Sequence, residues 1–246
     1  MEEEIKRIAK AIIDSKKVTV LTGAGISTES GIPDFRSEKT GLWNKFDPNL
    51  LSKEFLYKDP QKFYDYGLKM LSSLRIGGKI KPNKAHYILA DMEKSGWISC
   101  VITQNIDGLH KMAGSKKVFE VHGNIKKSYC ISCKMEYPLS MLYKKVLKKQ
   151  IPPLCPKCKG MMRTSIVLFG DELNEEFYAA RKEVMESDLL IVIGSSLEVG
   201  PVNTLPLLAR KFAIINKEKT FFDEQAFVVV YENAGKALLD ICKNLG

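Results

Sequence analysis

Histidine is scarce in this sequence, and long apolar runs are missing from it. No stretch approaches the roughly 18 consecutive apolar residues that a membrane-spanning helix needs, so we expect no membrane partner. Residues Met1–Arg7 are not followed by an apolar core of signal-peptide length, and we therefore expect a cytoplasmic protein. We also find no internal repeat and no low-complexity linker. The 246 residues are enough for one large domain, or for a large domain with a small one.

Positive charge exceeds negative charge: 38 lysines and arginines face 29 acidic residues, and the formal net charge is +9. Such an excess is compatible with an acidic partner or with nucleic acid. The lysines are spread along the chain, however, and the densest groups resemble solvated faces, namely Lys126-Lys127, Lys144-Lys145 and Lys148-Lys149. We therefore expect no nucleic-acid partner. Nothing in the sequence demands more than one copy, so we expect a monomer.

Four of the six cysteines form two Cys-x-x-Cys pairs, which are separated by 21 residues. In a chain without a secretion signal, this pattern favours metal binding over disulfides. We expect one structural Zn²⁺ on four thiolates, since such a site leaves no open coordination position for catalysis. A redox disulfide is the main alternative. The expected ligands are Cys130, Cys133, Cys155 and Cys158. A short helix at about 139–149 would explain a gap slightly longer than usual, and Cys100 and Cys242 are expected to be small buried hydrophobic residues.

A β-branched run, Val18–Thr22, leads into two closely spaced glycines, Gly23 and Gly25. A buried strand followed by such a turn can hold a pyrophosphate, because backbone N–H groups approach the phosphates closely there. The pattern is incomplete, however. Thr28 replaces the usual third glycine, and no strand ends in an acidic residue about 20 positions further on. Alone, the glycines fit an ordinary turn equally well. Likewise, Asp34–Arg36 fits either a surface ion pair or a mobile loop over the bound group.

Strand and helix patterns alternate along most of the chain, which predicts an α/β fold with a Rossmann-like parallel sheet and helices on both faces. A helical insertion at residues 37–81 interrupts this alternation, and within it a helix is expected to begin at Asp59-Pro60 and to end at Gly77-Gly78. The expected strands are 18–22, 98–103, 118–121, 165–169, 189–193 and 212–215. The expected helices outside the insertion are 3–14, 82–93 with proline in its first turn, 174–186, 202–210 and 234–243.

The three histidines differ in their expected surroundings. His86 falls inside a helix and is expected to be structural, and His110 is expected to be structural or to cap the turn that it closes. His122 lies at the carboxyl end of a predicted strand, before Gly123. Ligands bind at that edge of an open parallel sheet, and an imidazole can accept a proton there near neutral pH. His122 is therefore the candidate catalytic base.

Four motifs together resemble the sirtuin family of NAD-dependent protein deacylases, in its bacterial deacetylase form. They are Gly23–Arg36, Thr103–His110, Val121–Asn124 and Gly194–Ser196, and they occur in the family's order. The resemblance covers roughly residues 18–216. It implies an NAD-binding Rossmann-like domain formed by residues 1–36, 82–125 and 164–246. It also implies a small domain formed by the helical insertion 37–81 and the zinc module 126–163.

The resemblance also implies roles for single residues. His122 would act as general base on a ribose hydroxyl after the acyl oxygen of the substrate lysine has displaced nicotinamide. Asp107 would bind the carboxamide, although taken alone it fits a turn before Gly108 equally well, and Phe35 would shield the ribose. The residues expected to contact NAD are Gly23, Ala24, Gly25, Ser27, Asp34, Phe35, Arg36, Gln104, Asn105, Asp107, Gly194, Ser195, Ser196 and Asn216.

In the family, two segments hold an acetylated peptide as an added strand, so acetylated lysine proteins or peptides are the expected partners. Carried onto this chain, the substrate-binding residues are Val167, Phe169, Gly170, Glu172, Leu197 and Val199. Members that prefer acidic acyl groups carry Tyr-x-x-Arg on the helical insertion. This chain has Tyr64-Asp-Tyr-Gly67 instead, with no arginine to pair with a carboxylate. We therefore expect acetyl or other uncharged acyl groups.

Three other functions compete with deacetylation. Mono-ADP-ribosyl transfer from NAD would use the same cofactor. A non-catalytic module that senses NAD or binds DNA would show salt-sensitive duplex binding. A redox protein would use the Cys-x-x-Cys pairs, and stoichiometric zinc would exclude it.

Overall fold

A six-stranded parallel sheet forms the centre of the computed structural model, which describes residues 1–39, 41–74 and 80–246. The strand order is β3-β2-β1-β7-β8-β9, with every neighbouring pair parallel. These strands are β1 (Val18–Thr22), β2 (Cys100–Thr103), β3 (Val118–Glu120), β7 (Leu189–Ile193), β8 (Phe212–Asn216) and β9 (Val228–Tyr231). The strand order reverses between β1 and β7, and such a reversal opens a crevice at the carboxyl ends of the two strands.

Helices cover both faces of the sheet, as the alternating pattern predicts. The first face packs on α1 (Glu2–Ile13), α4 (Lys84–Lys94) and α8 (Ala234–Cys242). The second packs on α7 (Glu175–Met185) and on a 3₁₀ helix, Val202–Leu208. All five residues of β1 and of β7 are buried, because their side chains meet helices on both sides. The Rossmann-like part of the fold is therefore confirmed.

A second, three-stranded antiparallel sheet carries the four cysteines. Its strands are β4 (Lys127–Cys130), β5 (Glu136–Pro138) and β6 (Met162–Thr164), and α6 (Leu139–Leu147) joins β5 to the second cysteine pair. This sheet packs on α2 (Lys53–Lys58) and α3 (Pro60–Ser73), the helices of the insertion. Leu56 and Phe63 share one buried cluster with Leu142 and Met162. The insertion and the cysteine module thus form a common small lobe, whereas the residue boundaries between the two domains stay a prediction.

The predicted strand at Ser165–Phe169 is wrong. Its backbone bonds go to three different elements, because Ser165 N donates to Lys127 O, Val167 N to His122 O and Phe169 N to Leu51 O. A segment bonded in this way cannot pair along a single strand. It forms an extended connection instead, with one isolated bridge to Ser52.

Other element boundaries differ in detail. Helix α4 begins after Asn83, whose side chain accepts from Ala85 N, so Pro82 precedes the helix rather than lying in its first turn. Residues 202–208 form a 3₁₀ helix that contains Pro206, and they do not reach 210. The start of α3 at Pro60, capped by Asp59, is confirmed, and its expected end at Gly77-Gly78 lies outside the described residues. In the described part of the chain, no helix is long and apolar enough to cross a membrane.

Candidate active site

A cavity of about 530 Å³ lies at the carboxyl ends of β1, β2 and β7 and extends to the small lobe. The glycine turn follows β1 and begins a 3₁₀ helix, Ala24–Ser30. Gly25 N donates to Gly194 O at 2.8 Å, so the loops after β1 and β7 touch. A Cβ on Gly25 would lie only 2.8 Å from that oxygen. Glycine at this position therefore lets two backbone segments approach each other at the crevice.

Polar side chains from two strand ends meet beside the turn. Ser27 Oγ donates to Asp107 Oδ2 at 2.7 Å and accepts from Asn105 Nδ2 at 3.1 Å. The other Asp107 oxygen accepts from Leu109 N at 2.9 Å. Asp107 thus has the turn-forming contact that its sequence position suggests and also lines the cavity. Burial raises the pKa of its carboxyl, and it would place an acceptor on the cavity wall for an amide donor.

His122 is held with one ring nitrogen committed to the backbone. Its Nδ1 lies 3.1 Å from Gln104 O. Because a carbonyl only accepts, Nδ1 carries the proton and Nε2 keeps a free lone pair. Burial lowers the pKa of His122, and the hydrogen bond to Gln104 O opposes this shift. The imidazole is therefore a neutral proton acceptor on the cavity wall.

The backbone of His122 and Gly123 contacts the predicted substrate segment. His122 O accepts from Val167 N at 2.9 Å. Gly123 has a φ of +75°, and a Cβ there would lie 2.0 Å from Ser165 O. Only glycine lets the chain turn away from His122 so close to that segment. A peptide bound along 167–170 would thus lie next to the imidazole.

The loop after the 3₁₀ helix is held at several points. Leu42 N and Trp43 N donate to Asp34 O and Phe35 O, both at 2.9 Å, and the rings of Phe35 and Trp43 have centroids 4.8 Å apart. Arg36 Nε lies 3.1 Å from a carboxylate oxygen of Glu198. This loop forms a wall of the cavity, between the glycine turn and the small lobe.

All fourteen residues expected to contact NAD line this cavity, and so does His122. Of the substrate residues, Val167, Phe169, Gly170 and Val199 also line it. Leu197 is buried in the core and Glu172 is exposed outside the cavity, so their roles stay predictions. Sequence reasoning did not single out Tyr143, Thr164 or Glu232, which line it too. Only Glu232 has a recognisable signal, an acidic residue directly after the apolar run of β9.

The other two histidines have structural positions. His86 belongs to the capping box of α4, and burial lowers its pKa to about 4. His110 Nε2 lies 2.9 Å from Thr22 Oγ1, and burial with the nearby His86 lowers the pKa of His110 to about 3. Both rings are fully covered and neutral, as expected of core residues.

The four cysteines of the small lobe form one cluster, in which all sulfur atoms lie within 4.8 Å of one another. The Sγ atoms of Cys130 and Cys158 are 3.4 Å apart, and those of Cys133 and Cys155 are 3.8 Å apart. Tetrahedral Zn–S bonds of about 2.3 Å would separate two sulfurs by about 3.8 Å. No disulfide forms among them. The cluster therefore fits a structural zinc ion.

Comparison with known proteins agrees with this geometry. The model of the Sir2 family matches residues 23–201. The chain belongs to the Sir2 family. A Sir2 relative from Caldanaerobacter subterraneus subsp. tengcongensis, NAD-dependent protein deacetylase 2, is 54% identical, with 96% of this chain and 94% of that protein covered. The NAD-dependent protein deacetylase of Sulfolobus acidocaldarius is 44% identical, with 94% of this chain and 90% of that protein covered.

Solved Sir2 structures share the whole fold. A Sir2 variant in complex with a deacetylated p53 peptide and 3'-O-acetyl-ADP-ribose has a TM-score of 0.88 and 36% identity, covering 97% of each chain. A Sir2 complex with a p53 peptide and NAD⁺ has a TM-score of 0.85 and 36% identity, again over 97% of each chain. The agreement includes the small lobe, because the coverage leaves almost no residue of either chain unmatched.

Proposed function

We propose that this chain is an NAD-dependent protein lysine deacetylase that converts acetyl-lysine and NAD to lysine, nicotinamide and O-acetyl-ADP-ribose. One observation carries the proposal. The glycine turn, the neutral imidazole of His122 and the extended segment 167–170 line a single cavity, so cofactor and peptide can meet there. The Sir2 relatives named as NAD-dependent protein deacetylases support the same reaction.

The residues divide the work by position. NAD, when bound, supplies the ribose carbon that takes the acyl oxygen as nicotinamide leaves. The 23–25 turn would receive its phosphates, because Gly23 and Gly25 let the backbone come close to the ligand, although the N–H groups of these two glycines already donate to Ile193 O and Gly194 O. Asp107 accepts from the carboxamide, and Asn105 holds the neighbouring Ser27 in place. His122 Nε2 takes a proton from a ribose hydroxyl, while Nδ1 stays bonded to Gln104 O. Phe35 closes the cavity and excludes water.

Zinc has a different task from NAD. Cys130, Cys133, Cys155 and Cys158 would hold it with all four coordination positions filled, so it supplies folding energy to the small lobe and no Lewis-acid chemistry. We further propose that the substrate is an acetylated lysine in an extended peptide, bound along Val167–Gly170 and Val199. That the enzyme works as a monomer in the cytoplasm stays a prediction.

The cavity also limits the acyl group. Tyr64 is buried, and its hydroxyl donates to Met162 O at 2.6 Å, so it is committed to the zinc module. Gly67 lines the cavity and brings no charge. The cations among the described residues of the cavity wall, Arg36 and Lys217, lie on the loop after the glycine turn and directly after β8. A carboxylate on the acyl chain near Tyr64 and Gly67 would thus be desolvated with neither of these residues to neutralise it. We expect acetyl and other uncharged acyl groups to be removed, and succinyl groups to react at least tenfold more slowly, since an unpaired buried charge costs well over 1.4 kcal/mol.

The decisive experiment measures nicotinamide release from NAD with acetyl-lysine and succinyl-lysine peptides, for the wild type and for His122→Ala. For the wild type, we expect nicotinamide release that depends on the peptide, with O-acetyl-ADP-ribose as co-product. In His122→Ala, the rate of O-acetyl-ADP-ribose formation should fall by at least 10²-fold. NAD binding by His122→Ala is the control and should persist, because the glycine turn and Asp107 are unchanged in that variant. Nicotinamide release without deacetylation would instead indicate ADP-ribosyl transfer or NAD hydrolysis.

A further inference from the structure

The net charge of this protein is concentrated in one place. Residues 126–163 contain nine lysines, Arg163 and a single acidic residue, Glu136. The formal charge of this module is therefore +9, which equals the charge of the entire chain. The rest of the molecule is electrically balanced. The lysines are spread along the chain, as the sequence indicates, but outside this module the acidic residues equal the basic residues in number.

Most of this charge has no partner inside the protein. Lys127 pairs with Glu136, and Arg163 pairs with Asp171 outside the module. The other eight lysines have no carboxylate within 4.0 Å in the part of the chain that the structure describes. A zinc ion on four thiolates would carry a charge of −2 and would offset part of the charge of the knuckle lysines, Lys134, Lys157 and Lys159. Five lysines lie away from the knuckles: Lys126, Lys144, Lys145, Lys148 and Lys149.

Three of these lysines, Lys126, Lys144 and Lys148, lie near residues that line the cavity. Tyr143 lines the cavity, and a helical rise of about 1.5 Å per residue places Lys144 and Lys148 within about 8 Å of it along the chain. Both lysines are exposed. At the other end of the module, the Lys126 ammonium lies 3.6 Å from the position that a Cβ on Gly108 would take, next to Asp107. Charges at this range act on a bound peptide, because the Debye length is about 8 Å at physiological salt.

We propose that this surface, Lys126 with Lys144–Lys149, selects substrate proteins that carry acidic residues around the acetylated lysine. The inference rests on the proposed deacetylase function, since the acetyl-lysine inside the cavity brings its flanking residues against the module. Acetylation removes the charge of the substrate lysine itself, so an acidic flank then provides the attraction that steers the protein to the site.

The composition of the surface favours a protein partner over nucleic acid. Nucleic-acid sites rely on arginine for bidentate contacts and on exposed aromatic rings for stacking. The one arginine of the module, Arg163, is buried and paired. Its aromatic residues, Tyr129, Tyr137 and Tyr143, are all half-buried. Lysine ammonium groups alone provide an attraction without stacking or base readout, which suits an irregular acidic protein surface.

The test compares acetyl-lysine peptides that differ only in their flanks, with three glutamates, three glutamines or three lysines. At about 50 mM salt we expect the KM to be about tenfold lower for the glutamate than for the lysine peptide, falling to below about twofold at 0.5 M salt. Lys144→Glu/Lys148→Glu should abolish or reverse this preference. Lys94→Glu/Arg181→Glu, which changes the net charge equally on helices of the main sheet, should keep it.

Activity on the glutamine peptide separates this inference from the proposed function. Without activity on that peptide in the wild type, the deacetylase proposal itself fails. With that activity intact, equal KM values for the three flanks at low salt would overturn the acidic-substrate inference. So would a preference retained by Lys144→Glu/Lys148→Glu. Tight, salt-sensitive binding of a DNA duplex without any flank preference would show that the surface binds nucleic acid instead.

Discussion

His122 can work as a base only while its imidazole is neutral, and its surroundings favour that form. Burial lowers the pKa below the ordinary value of 6.5, because water no longer stabilises the charged ring. Protonation at acidic pH removes the lone pair of Nε2 and stops proton transfer. The acid limb of kcat/KM should therefore lie below pH 6.5, with activity lost only as the pH falls further. Initial deacetylation rates between about pH 4.5 and 8 measure this limb.

The hydrogen bond from Nδ1 to Gln104 O fixes the tautomer in this prediction. Because a side-chain substitution cannot remove a backbone carbonyl, the control is a different reaction of the same enzyme, the exchange of nicotinamide. Nicotinamide exchange, which precedes proton transfer by His122, should keep a flatter pH profile than deacetylation does. An acid limb at or above pH 6.5 for deacetylation would contradict a neutral imidazole whose pKa is lowered by its surroundings.

Motif residues were predictable because chemistry constrains them strongly. Gly25 and Gly194 must be glycines since their backbones touch, and a strand end places His122 at the cavity. Positions that depend on local backbone shape were not predictable. Leu197 has a φ of +56° and turns into the core. Asp171, rather than Glu172, lines the cavity, because a turn in the connection exposes the next residue. No sequence pattern announces either orientation.

The connection between β6 and α7 depends on one buried ion pair. Arg163 on β6 donates from Nη1 to Asp171 Oδ1 at 2.8 Å, and from Nη2 to Asp171 Oδ2 and to Ile166 O. Leu168 N donates to the same carboxylate at 2.8 Å. These paired hydrogen bonds between Arg163 and Asp171, the Arg163 fork, therefore close the loop that carries Val167. Both side chains are almost covered, so the pair is shielded from solvent.

We expect Arg163→Lys to raise the KM for acetylated peptide by about tenfold, because an ammonium cannot form both parallel bonds. The dissociation constant for NAD should change by less than about twofold, since the residues proposed to bind NAD lie mainly in the loops that follow strands of the parallel sheet. Asp171→Asn should be more severe and destabilise the fold by about 3 kcal/mol, as it leaves a buried guanidinium unpaired. Peptide and NAD titrations with chemical unfolding measure these effects.

Lys127→Ala is the matched control, because it breaks an exposed ion pair in the same small sheet. Exposed pairs contribute little, so neither peptide KM nor stability should change measurably. If Arg163→Lys behaved like Lys127→Ala, the fork would not position the substrate segment. If it weakened NAD and peptide binding equally, its role would be general folding.

Long strands and helices of the main sheet were predictable because buried β-branched runs and amphipathic spacing are strong signals. The strands that were predicted wrongly or missed depend on partners far away in the sequence. Residues 165–169 have a strand-like composition, yet their bonds go to Lys127, His122 and Leu51. Strand β9 was missed, because Val228–Tyr231 is short and lies in the stretch least like the sirtuin family. Tertiary context decides such segments.

The molecule divides its chemistry between two sheets. The parallel sheet places the glycine turn, Asp107 and His122 at one crevice, while the antiparallel sheet with α6 contributes Leu142, Tyr143 and Thr164 to the far wall. The two parts meet at the His122–Val167 backbone bond. Cofactor binding and peptide positioning can therefore fail separately, although catalysis needs both.

Removal of zinc tests this division. The sulfur cluster joins the two ends of a small module built from three short strands and one helix, and structural zinc sites provide much of the folding energy of such modules. A chelator strong enough to take the metal should therefore disorder β4–β6, release the Arg163 fork and lower peptide deacetylation by at least tenfold. The parallel sheet does not depend on the cluster, so its circular dichroism signal and NAD binding should largely persist.

Cys158→Ser should reproduce this state with less than one zinc per chain, while Cys242→Ser, outside the cluster, should keep both zinc and activity. Recovery of deacetylation on zinc addition would separate loss of metal from irreversible unfolding. Full deacetylation by zinc-free protein would contradict the dependence of the peptide wall on the cysteine module.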